Sequence, residues 1–186
     1  FYKMLSPAGI ELIPEYQVTA PNDLYDSVRP TIAVDSTNAA FIVWQDKRVG
    51  DDPGVYICKL VPDPDGGTAT ETIEDTLISS EGSWGSVPRI AVDQLDNIHV
   101  VWQEVPGEMN QEDAQPLDII NAHFIMYVQF EGSPEDFNLP SVEPRPLNPP
   151  GGNFWGPYRA LPDLSIDSDG RIHVTWNEVS GGNELE

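Results

Sequence analysis

The chain has 186 residues, 39% of them hydrophobic, and carries a formal charge of −22 from 31 acids and 9 bases. That length supplies one globular core without requiring a second, so residues 1–186 are read as a single domain. The acid excess repels phosphate backbones, which excludes nucleic acid as a partner, and no run is long and apolar enough for a membrane span. Eighteen prolines and fifteen glycines spread along the chain mark many turns and exclude long helices.

In chain order the apolar runs are short. FYKML and LIPEYQVT come first, then PTIAV, FIVWQ, GVYICKL and ETIEDTLIS, then PRIAV, NIHVVWQ, HFIMYVQF and VEPRPLN, and last PDLSI and RIHVTWN. Runs of this length, rich in Val, Ile and aromatics and bounded by Gly, Pro, Asn and Asp, predict strands. A fixed spacing organises them: a proline, an aspartate five positions on, and a tryptophan nine positions after that. It occurs as Pro30/Asp35/Trp44, Pro88/Asp93/Trp102 and Pro162/Asp167/Trp176. Such self-similarity marks stacked or radially arranged units, here about 21–78, 79–148, and 149–186 completed by 1–20. Four antiparallel strands per unit predict an all-β fold, a β-propeller of four-stranded antiparallel blades with three blade repeats in this chain. Propellers typically hold four to eight blades, so three are half of a six-bladed ring or part of a larger array.

The ends read as halves of one unit. Tyr56 follows Trp44 by twelve residues, and counting on from Trp176 through Glu186 to Phe1, the twelfth position is Tyr2. FYKML is therefore expected to pair with the strand holding Trp176, in the same molecule or in a neighbour, because an unpaired edge is a template for another strand. Head-to-tail copies then close a ring or grow a filament.

Alternation places Ile98, Val100 and Trp102 on one face of their strand and His99, Val101 and Gln103 on the other. Bulk on both faces is expected of a sheet covered on each side, which makes the three tryptophans filler between blades. Cys58, the only thiol, makes no internal disulfide and is read as a half-buried side chain aligned with Met4 and Gln129. Asp35, Asp93 and Asp167 end the first strand of each unit, where an Asx side chain bonds the backbone two residues on and shapes the hairpin. Asp167-Ser168-Asp169-Gly170 also looks like the opening of a calcium loop, although the remaining ligands and the terminal glutamate are lacking. Asp167 and Asp169 are thus the only candidate ligands for a metal, Ca2+, and no other cofactor is expected. His99 and His173 each follow their aspartate by six residues where the first unit has Phe41, so they are read as packing positions.

The frame P-x-I-A-V-D, a turn, V-V-W-Q-[DE] and a Tyr-containing strand before a glycine turn resembles the sialidase-like, BNR-type β-propeller repeats of secreted and cell-surface proteins of bacteria and archaea. The resemblance spans nearly the whole chain and implies a secreted or cell-surface location. That family's Asp-box survives only in outline, as Ser6-Pro7-Ala8-Gly9 and Asp63-Pro64-Asp65-Gly66-Gly67. The family's enzymes hold a substrate carboxylate with three arginines, whose bidentate forks match its two oxygens. Here Arg29 precedes the proline, Arg89 follows it, and Arg159 stands three residues ahead of it. The incoming loops add Tyr25, Trp84, Trp155 and Tyr158, and Asp46, Glu104 and Glu178 leave the second strands toward the same rim. These ten residues form the candidate ligand surface, with a glycan as its ligand.

Unequal arginine offsets favour a non-catalytic extracellular repeat protein that works by self-assembly or surface interaction, with itself as the first partner. The alternative is a sialidase-like propeller that binds or hydrolyses glycans as an exo-glycosidase. The acidic insertion between Val105 and Ala122 is expected to be a partner contact, and the stretch Pro140 to Pro150 a stiff connection.

Overall fold

The computed structural model describes residues 1–19, 26–48, 53–105, 123–132, 134–138, 140–148 and 158–179. The elements among them are twelve strands, with no helix: β1 (Tyr2–Leu5), β2 (Glu11–Tyr16), β3 (Val28–Val34), β4 (Ala40–Asp46), β5 (Gly54–Pro62), β6 (Ala69–Leu77), β7 (Trp84–Val92), β8 (Ile98–Val105), β9 (Phe124–Phe130), β10 (Val142–Pro146), β11 (Tyr158–Ile166) and β12 (Ile172–Val179). All pair antiparallel, in four sheets whose neighbours follow chain order: β1-β2, β3-β4-β5-β6, β7-β8-β9-β10 and β11-β12. The all-β expectation holds. Among the described residues no helix is long and apolar enough to cross a membrane.

The four sheets pack in sequence because the strands carry bulk on both faces. Phe41, Val43, Val55 and Ile57 on one face of the β3–β6 sheet join Ile98, Val100, Trp102, Met126, Val128 and Phe130 of the next sheet in one buried cluster. On the opposite face, Ala40, Ile42, Trp44, Tyr56, Cys58 and Leu60 form a second cluster with Tyr2, Ile13 and Val18 of the β1-β2 hairpin. The alternation read along β8 is thus present, and the whole strand is buried. Trp44 and Trp102 are 2% and 0% exposed, each worth on the order of 4 kcal/mol of gross transfer free energy. Trp176, their counterpart, is 36% exposed. The hairpin is pinned along β2 as well, where the amide of Gly67, in the β5–β6 turn, donates to the Leu12 carbonyl at 2.7 Å. Beside it Gly66 has φ 83°, and a Cβ there would lie 2.9 Å from the same carbonyl oxygen.

Each first strand carries the same irregularity at its motif proline. The register slips by one residue between Val28 and Thr31, between Ser86 and Arg89, and between Ala160 and Asp163. Proline has no N–H to give the ladder, so a bulge is where it is tolerated. The residue just before it takes a positive φ in all three: Arg29 54°, Val87 51° and Leu161 54°. None is glycine, so each carries strain of about 1–2 kcal/mol.

Three details of the sequence reading change. Trp44 lies opposite Tyr56, but Trp102 lies opposite Met126, which moves Tyr127 to the other face of its strand. Cys58 therefore corresponds to Val128 rather than Gln129, and it is fully buried rather than half-buried. Within Pro140 to Pro150, Val142–Pro146 is no mere connection. It is a strand on the outer edge of its sheet, a place where Pro144 and Pro146 cost no ladder bond.

Candidate functional site

At one rim the aspartate turns are built alike. The Oδ1 of Asp35 accepts from the amides of Thr37 and Ala39, that of Asp93 from Leu95 and Asn97, and that of Asp167 from Asp169 and Arg171, all at 2.8–2.9 Å. This is the Asx geometry expected of the motif. Asp167 is held down at about 2 by these donors, the Arg171 amide first, then His173. Its Oδ2 also meets the Arg171 guanidinium at 3.4 Å, and Asp169 meets the same group at 2.6 Å. The two calcium candidates are therefore engaged with N–H donors, and among the described residues no group of three or more His, Cys, Asp or Glu is arranged to hold a metal. Successive turns are also tied to one another. Ser36 donates from its amide and hydroxyl to Asp96 at 2.8 and 2.6 Å, and Gln94 donates to the Ser168 carbonyl at 3.0 Å.

At the opposite rim, Asp46 and Glu104 are turned inward. The indole of Trp44 donates to Asp46 at 3.0 Å, joined by Ser27 at 2.9 Å and Arg48 at 2.7 Å. Burial alone would raise the Asp46 pKa, yet the bonds from Arg48, Trp44 and Ser27 outweigh it and hold the group below the usual carboxylate range. Arg48 also pairs with Asp75 and lies 4.3 Å over the Tyr56 ring. Glu104 accepts from Trp102 at 2.7 Å and from the Ser80 amide at 3.3 Å. Glu178 lies on an exposed stretch of β12.

The arginines occupy inequivalent places on their strands. Arg29 is the bulge residue itself and reaches Gln45 at 3.3 Å. Arg89 follows its bulge, donates to the Pro88 carbonyl at 2.8 Å and approaches Asp163 at 3.8 Å. Trp84 opens β7, 41% exposed. Tyr158 and Arg159 begin β11, opposite Val179 and Glu178, with only their backbones among the described residues. Tyr25, Trp155 and nearly all of the insertion between Val105 and Ala122 lie outside the described residues. The structure thus sets Arg29 on one sheet and Trp84 and Arg89 together on the next, and engages Asp46 and Glu104 elsewhere.

No known protein-family model matches this chain, and no curated protein matches it either.

Two features escaped the sequence reading. The first is a polar row on β8 and β9: Asp93 Oδ2 lies 3.2 Å from His99 Nε2, and Tyr127 Oη lies 2.9 Å from His99 Nδ1. The ring is 2% exposed, and burial, partly countered by Asp93, pulls its pKa below the ordinary value. The spacing of six residues from aspartate to histidine was the available signal; the tyrosine arrives from another strand.

The second is a pair of open edges. Among the described residues β12 pairs only with β11, and β1 only with β2. Beside β12 is a cleft of about 200 Å³ lined by Tyr127, Arg145, Leu147, Ile172 and Val174. Beyond the hairpin, Ile32 and Val34 of β3 are 49% and 53% exposed, and a smaller cleft of about 60 Å³ there is lined by Phe1, Pro30 and Trp44 among others. Apolar side chains are thus exposed on both outer faces, next to strand edges that are unpaired among the described residues.

Proposed function

We propose that this chain is a non-catalytic β-propeller-type repeat protein, similar to the sialidase-like repeats of secreted and cell-surface proteins, whose work is self-assembly. The two-stranded sheets at its ends act as halves of one four-stranded blade. The observation that carries this reading is their complementarity. β11-β12 supplies a first and second strand, β1-β2 fits as a third and fourth, and among the described residues the edge strands β12 and β1 each lack one neighbour. The packing of sheets in chain order and the side-by-side run of β3, β7 and β11 support a radial arrangement. Against hydrolysis stand the inward-turned Asp46 and Glu104 and the inequivalent arginines, since a carboxylate clamp needs guanidinium groups converging on one point.

The test is sedimentation of the intact chain beside a variant lacking Phe1 to Leu5. Self-association that the deletion abolishes, and that an added FYKMLSPAG peptide modulates, supports the reading. A truncated chain that stays folded with unchanged oligomeric state overturns it. Turnover of sialosides, lost in Arg29→Ala and Arg89→Ala variants that remain folded, would overturn its non-catalytic part.

A further inference from the structure

The two complete sheets define what a third strand must bring to β12. In the β3–β6 sheet, Val43 lies opposite Ile57 and Phe41 opposite Lys59; in the next, Val101 lies opposite Tyr127 and His99 opposite Gln129. Where the second strand has Phe41, the third has Ile57. Where it has His99, the third has Tyr127, whose hydroxyl meets the ring at 2.9 Å. On β12 the same position is His173, with Asp167 Oδ2 already 3.1 Å from Nε2 and the side chain 62% exposed. The row Asp93–His99–Tyr127 is thus two-thirds repeated, and a tyrosine is what the repeat lacks.

Strand β1 has one on the required face. Tyr2 is 8% exposed and packs toward the sheet that follows it, with Met4 partly buried on the same side. Tyr127 faces the same way relative to its own sheet, toward β11-β12. Tyr2 therefore corresponds to Tyr127 and Ile57, and Phe1 to Tyr56 and Met126, which lie opposite the motif tryptophans. This shifts by one residue the register that the twelve-residue count suggests, and such a shift exchanges the faces of every side chain.

We propose that the β1-β2 hairpin of a second copy docks on the open edge of β12 with Phe1 opposite Trp176, Lys3 opposite Val174 and Leu5 opposite Ile172. Tyr2 then meets His173 and completes an Asp167–His173–Tyr2 row. The proposal rests on the strand-complementation reading above and gives it a partner and a register. It also accounts for the open apolar surface at both ends. Phe1 and Leu5, 77% and 55% exposed, join Ile172 and Trp176, 37% and 36% exposed, in rows equivalent to Leu60 with Ala40 and Tyr56 with Trp44. The cleft of about 200 Å³ beside Ile172 and Val174 lies where Leu5 and Lys3 arrive. The incoming copy's exposed Ile32 and Val34 are covered in turn by β11-β12. A second copy is the occupant because a molecule's own hairpin is bedded, through Tyr2 and Ile13, on the face of the β3–β6 sheet remote from β12.

Disulfide trapping tests the register. In a Cys58→Ala background, a Val174→Cys chain is mixed with a Lys3→Cys chain or with a Met4→Cys chain and oxidised. Among the described residues the Lys3 side chain makes an exposed ion pair with Glu11, so its loss leaves the fold intact. Opposed Cα atoms fall within disulfide reach, whereas a one-residue slip sends the Cβ to the far face. A mixed dimer with Lys3→Cys and not with Met4→Cys is expected. A dimer with Met4→Cys alone overturns the register while sparing complementation. No mixed dimer, from chains that sediment as monomers, overturns both. A chain carrying both Val174→Cys and Lys3→Cys that closes on itself as a monomer overturns the second copy. In the association constant, Tyr2→Phe is expected to cost about fivefold, and Tyr2→Ile with His173→Phe, the pair used in the first sheet, to recover it. An unchanged constant in Tyr2→Phe overturns the His173 contact.

Discussion

The indole Nε1 of Trp102 donates to the carboxylate of Glu104 at 2.7 Å, between side chains 0% and 4% exposed and two residues apart on one strand. Trp44 and Asp46 repeat the arrangement at 3.0 Å. Residues i and i+2 share a face of a strand, so the acid ending the W-Q-[DE] motif is placed by the tryptophan that precedes it.

Replacing Trp102 by Phe removes that donor and leaves a buried carboxylate short of a partner. We expect a loss of about 2–4 kcal/mol, read from urea unfolding, combining the partly empty indole site with the lost charged hydrogen bond. Trp102→Phe with Glu104→Leu should recover part of it, because a buried charge without its partner costs more than an apolar pair.

Stability should fall on the acid side. Burial pulls His99 below its ordinary pKa and His123 down to about 4, from 6.5. The folded chain then refuses protons that the unfolded chain accepts below about pH 6.5. This contribution is complete above that value and is lost as pH drops toward 4. Asp46 and Asp93, both depressed, act in the same direction at lower pH, losing their contribution as pH falls through their folded values. Urea midpoints from pH 7 to pH 4 should decline, and His123→Gln should flatten the upper part of the decline.

Leu161 has φ 54° and is 57% exposed, so its strain is offset by little packing. Leu161→Asn is expected to hold or raise stability by up to about 1 kcal/mol, since asparagine tolerates the left-handed region. Val87, at φ 51° but 6% exposed, should not gain from the same change because the asparagine amide would be buried. Thermal unfolding of the two variants checks the contrast.

Cys58 is fully buried, and burial drives its thiol pKa well up, so little thiolate forms. Labelling by a thiol reagent should be slow in the folded protein and rapid in denaturant. Rapid labelling of the folded chain would mean that the hairpin lifts off the β3–β6 sheet.

The repeat was legible because each of its marker residues acts locally. Proline breaks the ladder, aspartate closes the turn, and tryptophan fills the gap between sheets. What escaped depends on other strands. The alignment of Cys58 with Gln129 put Tyr56 and Tyr127 in one position, yet they sit on opposite faces, and runs with bulk at every position give no alternation to reveal it. The bulge was silent because Arg29, Val87 and Leu161 share a backbone conformation and no side-chain chemistry. Of the proposed ligand surface, the acids were placed at the correct strand ends; the i, i+2 spacing puts each on its tryptophan's face, but the burial of that face, which turns Asp46 and Glu104 inward, comes from neighbouring sheets.

Ser36→Ala removes one hydroxyl bond between neighbouring turns, at 2.6 Å to Asp96. A loss of about 1 kcal/mol is expected in chemical unfolding, and Asp96→Asn should add little to it if the two side chains act as a pair.

Those turn-to-turn bonds share one direction. Ser36 gives its hydrogens to Asp96 of the following sheet, and Gln94 gives its own to the carbonyl of Ser168 in the sheet after that. A row of such turns has a giving end and a receiving end, like links that hook only one way. Only a head-to-tail succession of such turns would continue this row of bonds in the same sense. The direction of the row is therefore set by the side chains one position after Asp35 and Asp93, Ser36 and Gln94.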